Sequence, residues 1–129
     1  MLRITLTALC LAAATGAAAQ PNWQALTTVE VRLSNFHYAP EAIHLRAGQP
    51  VLLHIVNVAG GGHNFSAPRF FAAATVRPQD RAAIHNGTVE VGSHASRDVA
   101  LVPTAGRYKL KCTHTFHKVL GMSGEIVVD

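Results

Sequence analysis

From residue 28 the chain alternates, with Val29, Val31 and Leu33 set between Glu30, Arg32 and Ser34. Successive side chains of a strand point to opposite faces, so this period of two predicts a half-buried strand over residues 28–35. Asn35-Phe36-His37-Tyr38-Ala39-Pro40 breaks the alternation, which resumes over 42–46 and stops at the turn composition Ala47-Gly48-Gln49-Pro50. The run 51–58 is more continuously apolar, as expected of a strand inside a sandwich. Further strands are predicted over 88–91, 97–102, 107–112 and 124–128, with Pro103-Thr104-Ala105-Gly106 as a turn between two of them. The segment 65–81 is the least regular, and a short helix is expected over 70–74. Nowhere does a helical period persist, so the pattern predicts an all-β Greek-key sandwich of seven to eight strands.

The first twenty residues follow a different rule. Arg3 is the one early charge, residues 4–14 are almost unbroken apolar, and Ala17-Ala18-Ala19 stands before Gln20. This is the layout of a secretory signal, too short to span a bilayer and ending in a small-residue cleavage site. The expected organisation is a signal peptide over 1–19 and one domain over 20–129, periplasmic or secreted, with no stable membrane association. Lipid attachment at Cys10 is disfavoured, because Thr7, Ala8 and Leu9 do not supply the small residue that a lipoprotein signal places before its cysteine.

Removing the leader takes eleven basic and seven acidic residues to ten and seven. The charge is mildly positive and scattered, with Lys109 and Lys111 alternating along one predicted strand, so no basic stripe suggests nucleic acid. It also leaves one cysteine, Cys112. Exported proteins commonly use cysteines in pairs. A lone one is an inert buried thiol, a reactive thiol or a metal ligand, and its neighbours decide which.

Those neighbours are Cys112-Thr113-His114-Thr115-Phe116-His117-Lys118-Val119-Leu120-Gly121-Met122, and far upstream His63 follows Gly60-Gly61-Gly62. A thiolate, two imidazoles and a weak thioether suit copper: soft sulfur favours the reduced ion, while imidazole binds the oxidised one well. Cys112 ends a predicted strand and Met122 precedes the next, so one loop can return several donors to one edge of the sandwich. His114 is a second histidine within that loop, but only one residue would separate it from Cys112, which is tight for an extended chain.

On Gly62-His63-Asn64-Phe65, Tyr108-Lys109-Leu110-Lys111-Cys112 and Gly121-Met122-Ser123-Gly124-Glu125-Ile126-Val127-Val128, the sequence resembles the cupredoxins, small blue copper proteins such as azurin, plastocyanin, pseudoazurin and rusticyanin. The resemblance covers nearly all of the chain after the leader. It implies one mononuclear copper, cycling between Cu(I) and Cu(II), held by His63, Cys112, His117 and Met122. It also implies that Asn64 tethers the two ligand segments by hydrogen bonds and that Gly62 presents its carbonyl to the open axial side. Four residues between cysteine and histidine look like azurin and rusticyanin rather than plastocyanin, and four more before methionine look like rusticyanin.

The expected function is single-electron transfer, not enzymatic turnover, by a monomer. Redox partner proteins are expected to dock near His117 on a patch drawn from Val119, Leu120, Gly121 and Phe116. The alternative is a copper buffer or delivery protein that passes the ion to a receiving protein, with His114 as a landing point. A nitrite reductase or multicopper oxidase would need further domains and ligand sets, a binuclear copper centre a second cysteine, and structural zinc a closed set of ligands without methionine. His37, His44, His54, His85 and His94 have no ligand spacing. Asn64-Phe65-Ser66 and Asn86-Gly87-Thr88 match the glycosylation pattern and are read as chance.

Overall fold

The computed structural model describes residues 19–114 and 121–129, so the expected leader lies outside the described residues except for Ala19. Two five-stranded sheets pack face to face. One runs in the order β2-β1-β4-β8-β6 and the other β3-β10-β9-β5-β7. In chain order the strands are β1 (Thr27–Ser34), β2 (His37–Ala39), β3 (Ala42–Leu45), β4 (Val51–Asn57), β5 (His63–Ser66), β6 (Thr75–Val76), β7 (Thr88–Val91), β8 (Ser96–Val102), β9 (Gly106–Lys111) and β10 (Ser123–Val128). A short helix α1 (Pro68–Ala73) and a 3-10 helix (Pro78–Ala83) lie between β5 and β7. No described helix is long and apolar enough to cross a membrane.

The all-β sandwich agrees with the alternating pattern, but ten strands replace the expected seven to eight. Two of the additions, β2 and β6, are three and two residues long and too short to show a period. The break after residue 34 is a turn in which Phe36 takes a φ of 66°, and β2 returns antiparallel to β1 from His37. The third addition, β5, escapes because His63, Asn64 and Ser66 are polar although all four of its residues are buried, so no alternation of apolar and polar positions marks it. The helix starts earlier than the expected residue 70: Pro68 stands in its first turn, where a fixed φ and a missing N–H cost nothing.

The two sheets enclose one core. Val31 and Leu33 of β1 and Val51, Leu53 and Ile55 of β4 face Phe65, Leu110 and Ile126 from the other sheet. Helix α1 drives Phe70 and Phe71 into this core, with ring centroids of Phe65 and Phe71 5.8 Å apart. Burying these side chains is the main stabilising term, roughly 1.5–3 kcal/mol for each large one.

Register places four connections at one end of the sandwich. β1 and β4 run parallel, so residues 35–36 and 58–62 leave from the same end. His63 begins β5 opposite Val91, the last residue of β7, and Ser66 pairs with Lys111 at the end of β9. The connections after β7 and β9 therefore leave from that end too.

Candidate metal centre

Three of the four predicted donors lie at this end. His63 opens β5, Cys112 follows β9 directly, and Met122 directly precedes β10. None exceeds 1% exposure, so their donor atoms sit in the interior rather than on the surface. His117 lies outside the described residues, as do Phe116, Val119 and Leu120 of the expected docking patch.

Cys112 and Met122 are joined by backbone. Ser123 pairs with Lys111, and one step further the Cys112 N–H donates to the Met122 carbonyl at 3.1 Å. His63 is tied to Cys112 through the residues next to each. The Asn64 side-chain carbonyl accepts the Thr113 N–H at 2.9 Å, and its amide donates to Thr113 Oγ1 at 2.7 Å. This is the tether expected of Asn64.

Other residues that build the site carry no sequence signal of their own. Asn57, the last residue of β4, is 1% exposed. Its Nδ2 donates to the carbonyls of Gly61 (2.8 Å), Val91 (3.0 Å) and Gly92 (3.1 Å), and its Oδ1 accepts the Ala59 N–H at 2.9 Å. One side chain thus holds the approach to His63 in shape and pins it to β7 of the opposite sheet. Tyr38 crosses between the sheets in the other direction: its hydroxyl donates to the Asn64 carbonyl at 2.7 Å, and its ring meets Phe65 edge-on. Burial, and then the electrostatic influence of the nearby Cys112, push the phenol far up its titration range, so Tyr38 stays a protonated donor.

On the outer side of the same strands stands Glu90 of β7, opposite Asn64. Its Oε1 accepts from Asn64 Nδ2 at 2.7 Å and its Oε2 pairs with His114 Nε2 at 3.0 Å. Partial burial raises the Glu90 carboxyl, but the hydrogen bonds from Asn64 and His114 and the His114 charge outweigh it and hold the group below the ordinary carboxylate value. Of the three glycines before His63, Gly62 is the one with a close neighbour: a Cβ there would stand 3.4 Å from His114 Cε1.

The arrangement can hold a soft or borderline metal. A buried imidazole, thiol and thioether come from adjacent strand ends, a donor set that suits copper better than the oxygen-seeking cations. Among the described residues no three His, Cys, Asp or Glu side chains form a metal-holding group. The predicted set contributes only His63 and Cys112 to such a count, since Met122 is not of those types. Two large apolar side chains, Phe36 (37% exposed) and Val58 (38%), stand out at this end. Phe36 shares a surface hollow with Tyr38, Glu41 and Gly121.

Residues 25–129 match the family model described as copper binding proteins, plastocyanin/azurin family. A search of curated protein sequences gives no match. Among solved structures, the chain is similar to auracyanin B, with TM-score 0.59 and 22% identity over 88% of this chain and 93% of that one. It is similar also to auracyanin A, a "blue" copper protein from the green thermophilic photosynthetic bacterium Chloroflexus aurantiacus, with TM-score 0.58 and 19% identity over 81% of this chain and all of that one. A multicopper oxidase from the hyperthermophile Aquifex aeolicus gives TM-score 0.63 and 15% identity, but the match spans 31% of that longer chain. At these identities the structural likenesses speak for the fold.

Proposed function

The chain belongs to the plastocyanin/azurin family of copper-binding proteins, and from that membership we propose that it is an exported one-electron carrier holding one copper ion through His63, Cys112, His117 and Met122. The observation that carries this reading is the burial of His63, Cys112 and Met122 at one end of the sandwich, on strand ends fastened to one another by Asn64 and by the Cys112–Met122 backbone bond. Copper bound there would supply one-electron chemistry between its two oxidation states.

The chain's own residues supply the rest. Asn57, Asn64 and Tyr38 fix the strand ends through groups that are no part of the donor set, which keeps the donors in one arrangement whatever the charge between them. Burial of Met122 and Cys112 keeps water from the sulfur donors, and the hydrophobic surroundings tune the potential. Partner proteins dock at the ligand end near His117, where Phe36 and Val58 expose apolar surface. Small, partly apolar surfaces favour brief encounters over stable complexes. The leader over residues 1–19 would deliver the protein to the periplasm or outside the cell.

The test is the visible spectrum of the mature protein with one equivalent of Cu(II), followed by cycles of reduction and reoxidation in the presence of a copper chelator. An intense thiolate-to-copper band that vanishes in Cys112→Ser, together with copper retained through the cycles, is the expected result. A band that appears but is lost to the chelator on reduction would favour copper delivery. A colourless complex would remove Cys112 from the donor set.

A further inference from the structure

Strand β7 carries none of the predicted donors, yet one of its side chains reaches both segments that do. Glu90 stands opposite Asn64 in the β5–β7 ladder, and its two oxygens take different partners: Asn64 Nδ2 at 2.7 Å and His114 Nε2 at 3.0 Å. Asn64 follows His63, and His114 lies two residues after Cys112. With Glu90 in place, the Asn64 amide nitrogen donates to both Glu90 and Thr113 while its oxygen accepts from the Thr113 N–H, so the amide has one orientation. The His114 ring is held by the Glu90 carboxylate, and it lies close enough to Gly62 that a Cβ there would stand 3.4 Å from its Cε1.

We propose that Glu90 is a positioning residue of the metal centre: it fixes the chain leaving Cys112 by holding Asn64 and His114, and so sets where the loop to His117 begins. This rests on the copper reading above. It also gives His114 a structural role in place of a landing point for the metal. Glu90 and His114 are exposed, with 62% and 37% of their side chains accessible, and a surface pair contributes little to global stability. The expected signature of Glu90 is therefore in the site and not in the unfolding midpoint.

The experiment compares wild type, Glu90→Ala and Glu90→Gln by three measurements: the thiolate-to-Cu(II) band, copper retention against a chelator, and amide hydrogen exchange at Thr113 and His114 in the metal-free protein. Residues that orient metal ligands typically change affinity by 10–100-fold when lost. Glu90→Ala is expected to shift the band, weaken retention about tenfold and speed exchange at both amides. Glu90→Gln keeps an oxygen for Asn64 and is expected to fall between the two. Should Glu90→Ala fold poorly, the glutamine variant decides the matter by the same comparisons. A variant that binds copper with unchanged band and retention, and exchanges no faster at Thr113 and His114, would overturn the assignment. If wild type gives no thiolate band, the copper reading fails first, and exchange in the metal-free protein still tests whether Glu90 holds the segment.

Discussion

Asn57 is the residue on which the approach to His63 most depends. It sits out of water and joins four backbone groups, three carbonyls through Nδ2 and one N–H through Oδ1. Removing the amide leaves buried backbone groups unsatisfied, each costing about 1–3 kcal/mol. Asn57→Ala is expected to lower unfolding free energy by about 3 kcal/mol in a denaturant titration. Asn57→Asp keeps the shape but turns a carboxylate oxygen toward three carbonyls, so at neutral pH it should destabilise at least as much as alanine. If aspartate proves milder, the hydrogen bonds are not what Asn57 supplies. Glu90 makes a smaller, pH-dependent contribution. Its carboxyl titrates below the ordinary value, so the stability it adds is present above the unfolded-state pKa and lost as pH falls through the folded one. The melting-temperature difference between wild type and Glu90→Gln should be small at neutral pH, because the group is largely exposed, and should vanish on acidification through the carboxylate range. At this scale the sequence names His63, Cys112 and Met122, because a thiol, imidazole and thioether are chemically distinctive. An asparagine, tyrosine or glutamate is not, so Asn57, Tyr38 and Glu90 emerge only when the strands are paired.

Among the elements, the hairpin joining His85 to Thr88 makes the sharpest demand on one residue. His85 and Thr88 exchange both backbone hydrogen bonds across Asn86 and Gly87, whose φ values are 50° and 72°. This is the two-residue turn that Asn-Gly favours, on residues that in the sequence also match a glycosylation pattern. A Cβ on Gly87 would lie 2.3 Å from Pro68 Cα as well as requiring a left-handed backbone. Gly87→Ala is expected to cost at least about 1–3 kcal/mol from the backbone conformation alone. Gly60→Ala, where a Cβ meets nothing within 4 Å, should stay within about 0.5 kcal/mol of wild type. Equal effects at the two positions would mean that the turn does not constrain Gly87. Strands with one wet face, such as β1, were legible from their period of two, whereas fully buried β5 and the very short β2 and β6 were not. The pairing itself was out of reach. Nothing in the alternation of β1 or β10 says that each has one parallel neighbour, β4 and β3 respectively.

For the whole molecule, the question is whether the sandwich shapes the site or the metal shapes the sandwich. The core cluster includes Cys112 and Met122, but most of its members are no donors: Val31, Leu33, Leu53, Ile55, Leu101 and Ile126 are almost wholly buried between the sheets. The strand ends carrying His63, Cys112 and Met122 are fastened by Asn57, Asn64 and Tyr38, none of them a predicted ligand. The metal-free protein is therefore expected to unfold in one cooperative transition with its β-sheet circular dichroism intact beforehand. Copper should then add only the linkage term, about 4.1 kcal/mol at a free concentration a thousand times Kd. Hydrogen exchange separates this from the opposite case. Amides of β4, β8 and β10 should be protected equally with and without copper, and the gain should be confined to the ligand end, at residues 58–64 and 112–113. If the metal-free chain lacks sheet structure, or if copper raises protection throughout both sheets, the donors are not pre-set by the fold. The fixed donor arrangement on which the proposed electron transfer relies would then need another source.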